Sequence, residues 1–344
     1  MNSLAGNFLA WALLMALPDS LSVAEEFRLV PVEDCTSAFA ADDINISMRI
    51  VGNTTPEGTL RWSHVASGRI LARGEVVAKE SGDVSSVGTF VLQPPAVRDG
   101  VIFATTIRTE FVPKNSDESI VSSERSLTLF PRNPFFNRNE WAKELDIELF
   151  DPVENTARVF DAAKLPFRTV RNAAALNDPT QKGILIVGED TSLLKHRSLA
   201  KTAIKAASAG RRVVMLAPAN GAMDFPGSDK QFRTTPNELR FAQQHIIREF
   251  DKRLDARAWF GTNNAIPSRR LNVESLRGRV EISVADQDGA WPWLEVRFPQ
   301  TNGVFIVCGF QMIQYWDNGP TPRYLFLRIL ESLDKRRNAH IPKY

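Results

Sequence analysis

The sequence predicts two domains of different class, an all-β sandwich over residues 25–133 and an α/β domain over residues 146–344, joined by a linker at 134–145. Three observations predict it. Apolar residues alternate with polar ones through the first part, as in 44–50 (INISMRI) and 101–111 (VIFATTIRTEF), which is the period of a half-buried strand. After the break at Pro131-Arg132-Asn133-Pro134, short apolar runs such as 183–188 (GILIVG) alternate instead with helical patterns. Last, 303–309 (GVFIVCG) reads as a strand buried on both faces and is followed by an amphipathic helix, the closing unit of an open parallel sheet.

Taken in order, strands at 44–50, 60–62, 70–77, 87–92, 101–111 and 127–129, separated by Gly, Asn, Pro and Asp turns, predict an antiparallel sandwich of about seven strands. Asn139 caps a short helix in the linker. A strand follows at 147–150, then a helix begun at Asp151-Pro152 with Val153, Ala157, Phe160 and Ala163 on one face. Further strands are expected at 167–170, 183–188 and 212–217, with a helix opened by Thr191, running to about 209 and stopped by Gly210. This alternation requires right-handed crossovers and a doubly wound sheet. Residues 218–235 read as a loop over the carboxyl edge of the sheet, 236–254 as mostly helix, and 280–284 and 294–298 as antiparallel strands. In the closing helix Thr321 is the expected cap and Pro322 the first residue.

Composition narrows the function classes. The net charge of +2 is spread over 42 basic and 40 acidic residues, which excludes a nucleic-acid footprint. Residues 8–17 (FLAWALLMAL) form an apolar run too short to span a bilayer, and Ser22-Val23-Ala24 places small residues where a signal peptidase reads. The expectation is a signal peptide over residues 1–24, cleaved after Ala24, a secreted or periplasmic protein and no stable transmembrane span. The run is not preceded by Lys or Arg, so an uncleaved anchor is the alternative. Cys35 and Cys308 fall in different domains, which argues against a disulfide and against a thiolate metal site.

Residues 303–311 (GVFIVCGFQ), Tyr315-Trp316-Asp317, 319–324 (GPTPRY) and the terminal helix together resemble the end of the class I glutamine amidotransferase-like domains appended to bacterial glycoside hydrolases of the β-galactosidase-like kind. The likeness covers roughly 146–335 and implies a flavodoxin-like α/β domain. Residues 44–130 likewise resemble the immunoglobulin-like sandwich that precedes such appendages. What fails to match matters as much. An amidotransferase needs a cysteine on a sharp strand-to-helix turn, activated by a nearby His. Here the strand at 212–217 runs into Pro218-Ala219-Asn220-Gly221, and Gln311-Met312-Ile313 stands where the His-x-Glu partner is expected. The resemblance therefore implies the fold without glutaminase chemistry, no cofactor, and a carbohydrate or a glycoside hydrolase as partner.

The candidate site gathers residues expected at the carboxyl edge, where open α/β sheets bind ligands. Glu189 and Asp190 end a central strand and serve either as an acid and base pair or as caps of the helix begun at Thr191. Asn220, Gln311, Trp316 and Asp317 combine amides, a carboxylate and an aromatic ring, a sugar-binding set, although Trp316 alternatively packs its loop onto the core. Trp291-Pro292-Trp293 reads as packing. Arg197, Lys201 and Lys205, joined by Arg211 and Arg212, read as a solvated basic face. Asp286-Gln287-Asp288-Gly289 reads as a turn, because its glycine is at the wrong offset for a calcium loop. The four histidines show no metal spacing, so neither a metal ligand nor a catalytic residue is assigned. The leading expectation is a non-catalytic binding or assembly module in carbohydrate processing. The alternatives are a glycan hydrolase working through carboxylates at the sheet edge and an oligomerisation module.

Overall fold

The computed structural model describes residues 27–334, apart from 34, 83, 178–181, 226–237, 260–265, 270–271 and 276–290. The first part holds nine strands: β1 (Arg28–Pro31), β2 (Ser37–Phe39), β3 (Ile44–Val51), β4 (Gly58–Ala66), β5 (Arg69–Val77), β6 (Lys79–Glu80), β7 (Ser85–Leu92), β8 (Phe103–Pro113) and β9 (Val121–Phe130). They form a four-stranded sheet in the order β1-β3-β7-β6 and a five-stranded sheet in the order β2-β9-β8-β4-β5. Ile46, Met48, Phe90 and Leu92 from the first sheet and Leu60, Ile107, Leu127 and Leu129 from the second make one buried cluster. Alternation therefore places the apolar side chains between two sheets, each fully buried one contributing about 1.5–3 kcal/mol. All pairings are antiparallel except β2 with β9, which is parallel.

The linker forms α1 (Asn139–Glu144), whose N-cap is Arg138 and not the expected Asn139. The second part holds β10 (Glu148–Phe150), α2 (Asn155–Ala162), β11 (Arg168–Thr169), β12 (Ile184–Val187), α3 (Leu199–Ser208), β13 (Arg212–Leu216), β14 (Ala222–Phe225), β15 (Glu238–Ala242), α4 (His245–Phe250), β16 (Asn272–Ser275), β17 (Trp293–Phe298), β18 (Gly303–Cys308) and α5 (Pro320–Leu333). Seven of these strands make one sheet in the order β11-β10-β12-β13-β18-β17-β15. The pairs from β11 to β18 are parallel, and β17 and β15 complete it antiparallel. One face buries α3 over Leu185, Val187, Val213, Met215 and Phe305. The other buries α5, with Phe160 of α2, over Ile184, Ile186, Val214 and Ile306. Helices on both faces explain why β12, β13 and β18 are apolar without alternation. At Gly303 an added Cβ would stand 1.7 Å from the carbonyl oxygen of Ala207, so the close seating of α3 on β18 requires a residue without a side chain.

Several expectations are corrected here. No helix begins at Thr191. Its hydroxyl donates to the Gly188 carbonyl at 2.7 Å and its carbonyl accepts from Ala219 at 3.1 Å, which pins 191–198 as a loop, and α3 begins only at Leu199. Within 236–254, residues 238–242 form strand β15, paired antiparallel with β17, before the short α4, and 236–237 lie outside the described residues. Within 218–235, residues 222–225 form β14, paired in parallel with β16, and 226–235 lie outside the described residues. The α5 helix starts at Pro320 with Gly319 at its N-cap, and Thr321 is instead buried, donating to the Asp255 carbonyl at 2.6 Å. Arg197, Lys201 and Lys205 are exposed, but Arg211 and Arg212 are buried, Arg211 paired with Glu148 and Arg212 bonded to the Leu333 carbonyl. Residues 1–24, 280–284, 286–289 and His340 lie outside the described residues.

The two halves share a core. Phe39, Phe130 and Phe135 belong to the same buried cluster as Trp316, Tyr324 and Phe326. Asp255 accepts from Thr36 N at 2.8 Å and Thr36 Oγ1 at 3.0 Å, and Tyr324 donates to the Pro131 carbonyl at 2.9 Å.

Candidate functional site

Beyond the carboxyl end of β12 lies a cavity of about 940 Å³, walled by α2, the linker at 132–134 and the loop at 313–317 and open to solvent. Glu189, Asp190, Trp316 and Asp317 all line it. Asn220 and Gln311 do not. Asn220 bridges to Ser192, whose hydroxyl donates to its Oδ1, because the segment after β13 crosses beside the 191–198 loop. Gln311 turns to Gln314 in its own loop. The expected six-residue set is therefore four residues, and the two amides hold loops.

Glu189 sits just beyond β12 with 1% of its surface exposed. Its Oε2 accepts from the backbone N–H of Ile313 at 2.8 Å and its Oε1 from that of Gln314 at 3.0 Å. Its own N–H donates to Thr156 Oγ1 of α2 at 2.9 Å. Burial pushes its pKa up to about 7, against the pull of those two N–H donors, with the negative Asp190 adding to the rise. Asp190 adopts a left-handed backbone, φ 63°, and pairs with Arg269, which enters on 266–269, a segment joined to β18's exit by Arg269 N–H donating to the Gly309 carbonyl at 2.8 Å. Neither acid caps α3, whose N-cap is Ser198. Both hold loops of this edge together, in place of the helix-capping role.

Trp316 is 7% exposed, packed edge-on against Phe326 at 6.0 Å, with the Arg323 guanidinium 5.7 Å from its ring. It packs its loop onto the core and reaches the cavity only with what remains. Asp317 stands exposed at the rim and pairs with Arg323. Arg323 also donates to the carbonyls of Trp316 at 2.7 Å and Arg132 at 2.5 Å, so one guanidinium joins the α5 helix, the loop and the linker. Burial pulls its pKa down, though Asp317 opposes this. Sequence reasoning missed the cationic lining altogether: Arg132, Arg158, Lys164, Arg269 and Arg323 come from four separate segments and form no motif.

The reactive centre of an amidotransferase has no counterpart among the described residues. β13 leads through Ala217 to Gly221 into the strand β14 and not into a helix, so no sharp turn presents a side chain. Cys308 at the end of β18 is fully buried, and burial drives its thiol pKa far up. No group of three or more His, Cys, Asp or Glu that would hold a metal occurs among the described residues. Trp293 is wholly buried against Phe250, so it is packing, whereas Trp291 is exposed and meets Phe241 edge-on.

No protein-family model and no curated protein matches the chain. Among solved structures it is similar to a cycloisomaltooligosaccharide glucanotransferase of Paenibacillus sp., at 10% identity over 54% of this chain and 27% of that one, with a TM-score of 0.25. A β-glucosidase from Listeria innocua aligns at 10% identity over 31% of this chain and 16% of that one, TM-score 0.22. A β-glucuronidase of Bifidobacterium dentium aligns at 11% over 61% and 45%, TM-score 0.21. The chain thus spans less than half the length of each of these proteins, and none superposes closely enough to assign its fold.

Proposed function

We propose that this chain is a secreted or periplasmic, non-catalytic binding or assembly module in carbohydrate processing, made of an immunoglobulin-like sandwich and a flavodoxin-like, amidotransferase-like domain without a nucleophile. One observation carries the reading: four of the six residues expected at the sheet's carboxyl edge meet in one cavity of about 940 Å³, in the size range of small-molecule sites of roughly 300–1,000 Å³. The strand order supports the flavodoxin-like assignment. In chain order, β11-β10-β12-β13-β18 runs second, first, third, fourth, then the closing strand, and the cavity adjoins the end of β12, one of the two strands that flank the switch point. The carboxylates are committed to structure, Glu189 to two backbone N–H groups and Asp190 to Arg269, which favours binding over chemistry. Binding on a glycan array, or co-purification with a glycoside hydrolase, tests the proposal, and negatives in both remove it.

A second reading, a glycan hydrolase, is favoured by one feature, the Glu189 pKa raised to about 7, the poise of a general acid near neutral pH. If an activity on glycans is found, full turnover by a Glu189→Gln protein excludes that role.

A further inference from the structure

The charges around the cavity are unevenly paired. Arg132 is held by Asp42 at 2.7 Å, Arg269 by Asp190 and Arg323 by Asp317. Arg158 meets only uncharged acceptors, the Glu154 carbonyl at 3.2 Å and Asn155 Oδ1. Among the described residues neither Arg158 nor Lys164 has a carboxylate partner, and both are exposed on the cavity wall. Glu189 is buried, turns its oxygens to the backbone N–H groups of Ile313 and Gln314, and makes no ion pair with either cation. Apart from Asn155, the wall carrying these two cations lines the cavity with apolar residues: Val159, Ala162 and Ala163 lie between them along α2 and just past its end. A surface of this kind suits a ligand that presents both an anionic group and a C–H face, and the volume admits several rings where a lone anion would leave most of it to water.

We infer that the cavity binds an acidic saccharide, a sugar chain bearing uronate carboxylates, with a carboxylate between Arg158 and Lys164 and a ring face on Val159 and Ala162. This rests on the carbohydrate reading above and narrows it to one class. A uronate supplies two coplanar oxygens to the guanidinium fork, a geometry that Lys at position 158 would not reproduce. The contact lies in solvent-reachable space, so affinity falls as ionic strength rises.

Titration calorimetry on the whole chain tests it with four probes: trigalacturonate, trimannuronate, an uncharged galactose trisaccharide and inorganic phosphate. At least one uronate trisaccharide is expected to bind, at least tenfold more tightly than the neutral one. Arg158→Gln and Lys164→Asn are each expected to weaken it by about three- to tenfold, the loss of one charge-assisted contact. Asn is chosen because Lys164 has a left-handed backbone, φ 55°, which Asn tolerates. Equal affinity for the neutral trisaccharide, or unchanged uronate affinity in both variants, overturns the acidic inference while the carbohydrate reading stands. Binding of phosphate with no trisaccharide bound overturns the inference, and the carbohydrate reading is then decided by the glycan array and the co-purification. Silence from both uronates overturns the inference whatever the other probes do.

Discussion

Glu189 and Ile313 are 124 residues apart, yet the carboxylate of one accepts the backbone N–H of the other at 2.8 Å, and its second oxygen takes the next N–H, that of Gln314, at 3.0 Å. A single buried side chain thus fixes the loop that roofs the cavity. The carboxyl keeps an acceptor on each oxygen even when protonated, because its hydroxyl oxygen can still take an N–H, whereas the NH2 of Gln at position 189 accepts nothing and leaves one of these N–H groups facing another N–H. At pH 5 the Glu189→Gln protein is expected to be less stable than the parent by about 1–3 kcal/mol. Urea unfolding measures the loss, and amide exchange should quicken at Ile313 and Gln314. Unchanged exchange at those two positions would mean that the carboxylate does not hold the loop.

The same residue sets a pH dependence. Its folded pKa of about 7 lies above the ordinary value of 4.5, so between these values the folded chain holds a proton that the unfolded chain has released. That contribution is fully present below about 4.5 and is lost as pH rises through about 7, a fall of about 3 kcal/mol. Glu189→Gln removes the titration, so its curve is flatter over this window and the gap to the parent narrows toward pH 8. Parallel curves from pH 4.5 to 7.5 would contradict this.

Asp251 acts in the opposite sense. Burial raises its pKa, but hydrogen bonds from the side chain and backbone of Arg253 and from Arg328 outweigh it and hold the group at about 2, below the ordinary 3.8. Its contribution is present above about 3.8 and lost as pH falls through about 2. With allowance for solvent screening it amounts to about 1–2 kcal/mol. Asp251→Asn should be less stable than the parent at pH 6, by about that amount, and nearly equal to it at pH 2. A constant difference across that range would show that the α4 to α5 junction does not depend on this charge.

How far the sequence spoke depends on the range of the forces involved. Period-two alternation in 44–50 and 101–111 and the runs ILIV, RVVML and GVFIVC are local records of burial, and the strands lie where those runs stand. Residues 191–198 have helix-like spacing, but the bonds that hold them as a loop reach Ala219 and Asn220, more than 20 residues away. Residues 238–242 become a strand only because β17 offers an antiparallel edge. Glu189 and Asp190 were visible as acids at a strand end. Their partners, the 313–314 amides and Arg269, could not be seen, since nothing near position 189 encodes them. Arg158 and Lys164 carried no local signal at all, because a cation on a helix becomes notable only when the carboxylates around it are counted in three dimensions.

The junction between the halves is expected to make them unfold together. Asp255 takes both the N–H and the hydroxyl of Thr36, and Phe39 and Phe130 lie in one core with Tyr324 and Phe326. Asp255→Ala removes the acceptor of the Thr36 N–H and hydroxyl in a part-buried place, a loss of about 1–2 kcal/mol. The parent should show a single calorimetric transition, with Asp255→Ala lowering it. Two well-separated transitions in the parent would mean that the shared core does not couple the domains.

The absence of a reactive thiol at the crevice gives the last prediction. Cys308 ends β18 with none of its surface exposed, and burial and the nearby Glu189 both disfavour its thiolate. The thiolate is the species that alkylates, so the folded chain should shield it twice, by access and by protonation. In a Cys35→Ser protein, where Cys308 is the one remaining thiol, iodoacetamide should label at the rate of global opening, and labelling should accelerate with urea in step with unfolding. Rapid labelling of the native protein at pH 7 would place an accessible, activated sulfur at the sheet edge and bring back the nucleophilic chemistry that the resemblance lacked.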